Sequence, residues 1–308
     1  MYADAVIEGG GVKAIGLVGA IYEAEKRGYK WKSLAGTSAG AIIASLLAAG
    51  YSAEELKQEI MTLDYSKFNQ KKAIQYIPFL GDFIQLMFYY GIYEGEYIEE
   101  WVKEKLSAKG VRTFKDLDRT LYIIASDITS GEMLTLPNDL TSYGINPDTF
   151  EIAKAVRMSV SIPYYFQPVK LKSESEKPIT HYIVDGGLLS NYPVWIFDNP
   201  QNPRWPTFGF RLVSKNSNKP NKIAGPITLG IALIDTMLDA HDMKHIKEQD
   251  YVRSILVPSL GIKATNFNIS KEESTQLFNA GMEAGNKFFE KWSFSQYVIQ
   301  YREPKSIV

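Results

Sequence analysis

The chain has 308 residues, 45% of them hydrophobic, and a formal net charge of −1. That suits one large buried core and offers no basic surface for a nucleic acid. The absence of cysteine excludes disulfides, thiol nucleophiles, iron–sulfur clusters and thiolate zinc sites. With only three histidines, at 181, 241 and 245, no dedicated transition-metal site is predicted and no cofactor is expected.

In chain order, Ala3 to Glu8 reads as a strand running into the triple glycine at 9–11. Val12 to Lys26 follows with apolar residues near helical spacing and closes at Gly28. Lys32 to Ala35 reads as a second strand, ending at Gly36 of the GTSAG motif at 36–40. Ala39 to Ala49 is an apolar helix whose all-round hydrophobicity predicts burial, with Gly50 at the place of a left-handed C-terminal cap. Ser52 and Glu55 form a capping box for the next helix.

Residues 74–93 differ in character: eleven large apolar or aromatic residues lie between 76 and 90, with Asp82 the lone charge before Tyr93. The plainer expectation is a cap packed on the core or lining an acyl groove. The alternative is an interfacial segment meeting lipid, for which Lys67, Lys71 and Lys72 give limited basic support.

Glu94 to Leu106 reads as a solvated helix, Leu121 to Ser126 as a buried strand before a Ser130-Gly131 turn, and Phe150 to Met158 as a helix. Tyr182 to Val184 is a strand feeding Asp185-Gly186-Gly187, and Thr207 to Val213 is another. After a linker-like stretch at 216–225, the sequence predicts a helix over 226–245, a strand at 255–257 and a helix over 271–292. Strands alternating with helices predict an α/β fold, a mostly parallel central sheet flanked by helices on both faces. The first strand begins almost at Met1 and no apolar run reaches 18 residues. Neither a signal peptide nor a transmembrane segment is therefore expected, and the expected location is cytoplasmic, with peripheral membrane contact through 74–93 as an option.

Three motifs carry chemistry. In GTSAG, glycines two before and two after Ser38 allow a sharp strand-to-helix turn that projects the serine at a helix N-terminus, where the dipole favours developing negative charge. Gly9, Gly10 and Gly11 offer backbone N–H groups that could hold a tetrahedral oxyanion. The rival for GGGVKA is a dinucleotide fingerprint. GTSAG occupies the strand end where that motif requires an acidic residue, which favours the oxyanion role. Lys13 either shapes this loop or is solvated.

Ser38 needs a base, and Asp185 ends a strand in a glycine-flanked turn. A free aspartate, pKa about 3.9, is a poor base at neutral pH, so partial burial would have to raise it. The competing reading of Asp185 is an ordinary Asx turn. A Ser-His-Asp triad is the other alternative. His241 and His245 lie four apart on a mixed polar face, and His181 is roughly 13 Å of extended chain from Asp185.

The set GGGVK, GTSAG, SVSIPYYFQPV (159–169) and DGG resembles the patatin-like phospholipases, Ser-Asp dyad acyl hydrolases with a three-layer α/β/α fold. The resemblance implies Ser38 as nucleophile, Asp185 as its base, the amides of Gly9, Gly10 and Gly11 as oxyanion donors, and 159–169 lining the approach. It implies a phospholipid or other fatty-acyl ester as substrate, cleaved as by a phospholipase A or lysophospholipase. Acyl transfer to a lysolipid or other acceptor, and a storage or effector protein with incidental esterase activity, are the alternatives. Residues 5–200 form the implied catalytic domain and 215–308 an α/β extension packed on it. Ala14 departs from the pattern, standing where the family usually has glycine.

Overall fold

The computed structural model describes residues 1–69, 80–174, 177–199, 203–213, 223–225, 228–230, 232–233, 236 and 247–302. Its strands are β1 (Tyr2–Ile7), β2 (Lys30–Thr37), β3 (Gly91–Tyr93), β4 (Thr120–Asp127), β5 (Glu132–Leu136), β6 (Tyr164–Phe166), β7 (Val169–Lys172), β8 (Thr180–Asp185), β9 (Thr207–Val213) and β10 (Ser254–Pro258). The helices are α1 (Ile15–Lys26), α2 (Ala39–Ala48), α3 (Ala53–Thr62), α4 (Leu80–Tyr89), α5 (Glu96–Ala108), α6 (Ile152–Ser159), α7 (Glu248–Tyr251), α8 (Lys271–Phe289) and α9 (Phe294–Tyr301).

The central sheet has the order β10-β9-β1-β2-β4-β8-β7, with β5 paired to β4. Its five strands from β10 to β4 are mutually parallel, while β5 and β8 run antiparallel to β4. Ala3 to Ile7 and Thr207 to Leu212 are buried without interruption. Strands buried on both faces must be covered on both, which explains why they lack the alternation of a half-exposed sheet. The fold is therefore the expected α/β architecture, with a mixed edge.

Local signals act where expected. Gly50 takes a left-handed φ of 98° beyond α2. Ser52 Oγ accepts from the Glu55 N–H at 3.2 Å, and the Glu55 carboxylate accepts from the Ser52 N–H at 2.8 Å. Eight of the ten residues of α2 are buried, as its composition requires. β10 pairs with β9, and α8 packs along α1. Three elements carry little sequence signal: the short pair β3–β6, the edge strand β7 and the terminal α9. Three-residue strands are too short to show a period. Residues 74–79, most of the expected 226–245 helix, His241 and His245 lie outside the described residues.

Candidate active site

Strand β4 acts as the ruler that brings the motifs together. Thr37, the last residue of β2, pairs in parallel with Ile124. Asp185, the last residue of β8, pairs antiparallel with the next residue, Ala125. Each functional side chain thus follows or ends a strand that stops at the same level of β4. Ser38 and Asp185, 147 residues apart in sequence, become neighbours. The glycine after the aspartate is required for this convergence, because a Cβ on Gly186 would lie 2.3 Å from the Ile124 carbonyl oxygen and 3.0 Å from Thr37 Cγ2.

Ser38 itself has φ 53° and ψ −126° at the N-terminus of α2. A non-glycine residue in that region costs about 1–3 kcal/mol and persists only where its surroundings hold it. The hold is visible. A Cβ on Gly40 would come within 2.3 Å of the Ile7 carbonyl oxygen and 2.6 Å of the Glu8 carbonyl oxygen, so α2 abuts the end of β1. That contact places the turn beside the triple glycine, and a Cβ on Gly9 would be 3.1 Å from Ser38 Cβ.

Ser38 Oγ donates to Asp185 Oδ2 at 2.6 Å. The other oxygen, Oδ1, accepts from the Gly187 N–H at 2.8 Å. The Asp185 side chain is buried, and desolvation of its charged form pushes the pKa up to about 7, against the smaller opposing effects of the Ser38 and Gly187 hydrogen bonds. The poor base of the free amino acid becomes one matched to neutral pH. The Asx-turn hydrogen bond is present as well, so the two readings of Asp185 are compatible rather than exclusive.

The 159–161 segment clamps both residues from behind. The Ser38 N–H donates to Ser159 Oγ at 2.9 Å, and Ser159 Oγ donates to the Ile124 carbonyl at 2.5 Å. The Asp185 N–H donates to the Ser161 carbonyl at 2.9 Å. Ser159 is fully buried, and sequence reasoning missed this contact because the motif containing it pointed only to an approach path. We expect Ser159→Ala to lower the turnover of any Ser38 chemistry by roughly 10- to 100-fold with little change in KM, because the strained turn loses its anchor. It should also cost about 1–3 kcal/mol of stability by leaving the Ser38 N–H and the Ile124 carbonyl unpaired, to be read from kcat and a denaturant melt of the same variant.

In the glycine loop, the Gly9 N–H donates to the Asn191 carbonyl at 3.3 Å, and Asn191 Nδ2 returns a bond to the Gly9 carbonyl at 3.2 Å. The Gly10 and Gly11 amides make no hydrogen bond to the described residues. Below the loop, the buried Glu8 carboxylate accepts from the Leu212 N–H at 2.6 Å and ties β1 to β9. Lys13 is 3% exposed, so it is not solvated. Ala14 is equally buried and lies in the 3₁₀ turn Gly11–Ala14 that leads into α1.

His181 belongs elsewhere. Its Nδ1 lies 2.7 Å from Asp127 Oδ2, which also accepts from Tyr143 Oη at 2.9 Å, at the base of the β4–β5 hairpin. Among the described residues no group of His, Asp and Glu side chains could hold a metal ion. An apolar pocket opens at Ser38, about 600 Å³ including space open to solvent, with Ile42, Trp101, Val160, Phe166 and Phe267 among its walls.

The profile of the family described as patatin-like phospholipase matches residues 5–198. The chain is 40% identical to the uncharacterized protein YqhO of Bacillus subtilis over 96% of its length and all of that protein's. It is 25% identical to a probable lipid hydrolase of Invertebrate iridescent virus 6, over 66% of this chain and 67% of the viral one. Among solved structures it is similar to VipD from Legionella pneumophila, with a TM-score of 0.55 at 17% identity over 94% of this chain and 66% of that longer one. The profile match spans more than half of the 308 residues, and the chain belongs to the patatin-like phospholipase family.

Proposed function

We propose that the protein is a lipid acyl hydrolase of the phospholipase A or lysophospholipase type, working through a Ser38 acyl-enzyme with Asp185 as general base. The observation that carries this reading is the 2.6 Å hydrogen bond from Ser38 Oγ to a buried carboxylate. Asp185 takes the Ser38 proton as Oγ attacks the ester carbonyl carbon. The negative charge that develops on the carbonyl oxygen is met by the Gly10 and Gly11 N–H groups, and the α2 dipole adds to them. Gly9 shapes the loop and joins as a donor only if its bond to Asn191 is released. Collapse of the tetrahedral species breaks the ester C–O bond, and the proton on Asp185 passes to the departing alkoxide. Asp185 then takes a proton from water as that water attacks the acyl carbon, and the proton returns to Ser38 Oγ.

The apolar pocket beside Ser38 supports a fatty-acyl chain as the group held during this sequence. Incubating the protein with diacyl phospholipid and with lysophospholipid, and measuring free fatty acid, tests the assignment. Fatty acid release dependent on Ser38 supports it. Release of phosphate, headgroup alcohol or diacylglycerol in place of fatty acid rejects it, because those products come from different bonds.

A further inference from the structure

Beside the pocket, the chain exposes an apolar surface that the core does not use. Helix α4 is anchored through buried Gln85, whose Oε1 accepts from Gln167 Nε2 at 3.2 Å. The chain then enters β3, where Gly91 and Tyr93 pair with Tyr164 and Phe166 of β6. Between those anchors, Met87, Phe88, Tyr89 and Tyr90 are consecutive and 57%, 72%, 50% and 51% exposed. Contiguous exposure of this kind on a folded chain marks an interaction surface.

Tyr90, just before β3, and Tyr164, the first residue of β6, have φ of 62° and 64°, a left-handed conformation rare for bulky residues. Ile162 and Phe166 line the Ser38 pocket, while Tyr164 between them is 46% exposed. Tyr164 thus stands between two residues of the pocket wall, on the strand that pairs with β3. Behind it the chemistry changes: Tyr90 meets Tyr182 edge to face at 5.6 Å between ring centroids, and Lys170 Nζ lies 5.7 Å from that second ring. Lys172, exposed on the same edge strand, adds another positive charge. An apolar tip, a tyrosine belt and lysines beyond it match, in that order, the acyl region, the headgroup boundary and the anionic surface of a bilayer.

We propose that Met87–Tyr90 and Tyr164 dock the protein on a phospholipid bilayer, with Lys170 and Lys172 on anionic headgroups and the mouth of the Ser38 pocket turned toward the lipid. The placement rests on the ester-hydrolase reading for its purpose, although the binding itself needs no catalysis. No helix among the described residues is long and apolar enough to cross a membrane, so the contact is a surface one.

The test uses the full chain carrying Ser38→Ala, so that vesicles stay intact, with phosphatidylcholine vesicles with and without phosphatidylglycerol. Sedimentation should show binding that phosphatidylglycerol strengthens. Met87→Ser with Phe88→Ser should weaken it by roughly tenfold or more, and Lys170→Gln with Lys172→Gln should remove the phosphatidylglycerol preference. Unchanged melting temperatures confirm that these surface variants fold. Because the chain has no cysteine, an environment-sensitive fluorophore on Phe88→Cys reports insertion directly, with exposed Ser107→Cys as the control. A blue shift at 88 and none at 107 supports the proposal. Equal binding by the Met87/Phe88 variant, no shift at 88, or a dimer broken by that variant without vesicle binding overturns it. If the label at 88 enters the bilayer but the Ser38 protein cleaves no ester, the hydrolase reading fails and the docking surface stands.

Discussion

Replacing Ser38 by alanine is expected to abolish measurable ester hydrolysis, a loss of about 10⁴- to 10⁶-fold in kcat, while the fold survives. The nucleophilic oxygen is the one atom in the proposed sequence that no neighbour can replace: Ser159 Oγ is committed to the Ile124 carbonyl and the Ser38 N–H, and Thr37 Oγ1 donates to the Ser190 carbonyl. Thermal melts of the same protein separate lost chemistry from lost structure. Alanine retains the left-handed strain of Ser38, with φ 53°, whereas Ser38→Gly relieves it and should be about 1 kcal/mol more stable than the alanine variant. A Ser38→Ala protein with wild-type turnover contradicts the assignment.

Asp185→Asn should lower kcat/KM by roughly 10²- to 10⁴-fold at pH 8, because a neutral amide cannot take the Ser38 proton. In the wild type the same group sets the pH profile. Its pKa, pushed up to about 7 by burial, makes kcat/KM rise tenfold per pH unit below that value and level off above it. The asparagine variant should lose this limb. Stability moves the opposite way. The folded protein binds the Asp185 proton more tightly than the unfolded chain does, so this group favours folding fully below pH 4 and progressively less as pH rises to about 7. Above that, the buried charge costs on the order of 4 kcal/mol. Asp185→Asn should therefore melt several degrees higher than wild type at pH 8.5, with the gain fading toward pH 5. An inactive variant that is also destabilised at high pH would assign Asp185 a structural role instead.

The glycine-dependent features were legible in the sequence because glycine marks backbone that no other residue tolerates. Gly40 against the carbonyls of Ile7 and Glu8, and Gly186 against Ile124, are such places, and the motifs around them located Ser38 and Asp185. The pairing of the two is expected from the motifs taken together and from the family resemblance, whereas the register of β2 and β8 along β4 that produces it is a non-local pairing without a local pattern. Ser159 was hidden for a related reason. A buried serine that bridges two backbone groups looks in sequence like any other serine in a loop block. His181 was visible as near the site in sequence, yet its hydrogen bond to Asp127 commits it to the hairpin base. The 74–93 stretch reads as a cap on the core or lining of an acyl groove, with an interfacial segment as the alternative. Among its described residues Gln85, Gly91 and Ile92 are buried while Met87 to Tyr90 face solvent, a division that depends on what packs there and not on composition.

The central claim, that Ser38 is the residue acylated with help from Asp185, is tested most directly by mapping a fluorophosphonate adduct by peptide mass spectrometry. At pH 8 the adduct should lie on the peptide containing Ser38, be absent from Ser38→Ala and form at least a hundredfold more slowly on Asp185→Asn. An adduct that persists in Ser38→Ala, or one that forms on Asp185→Asn at the wild-type rate, contradicts the account.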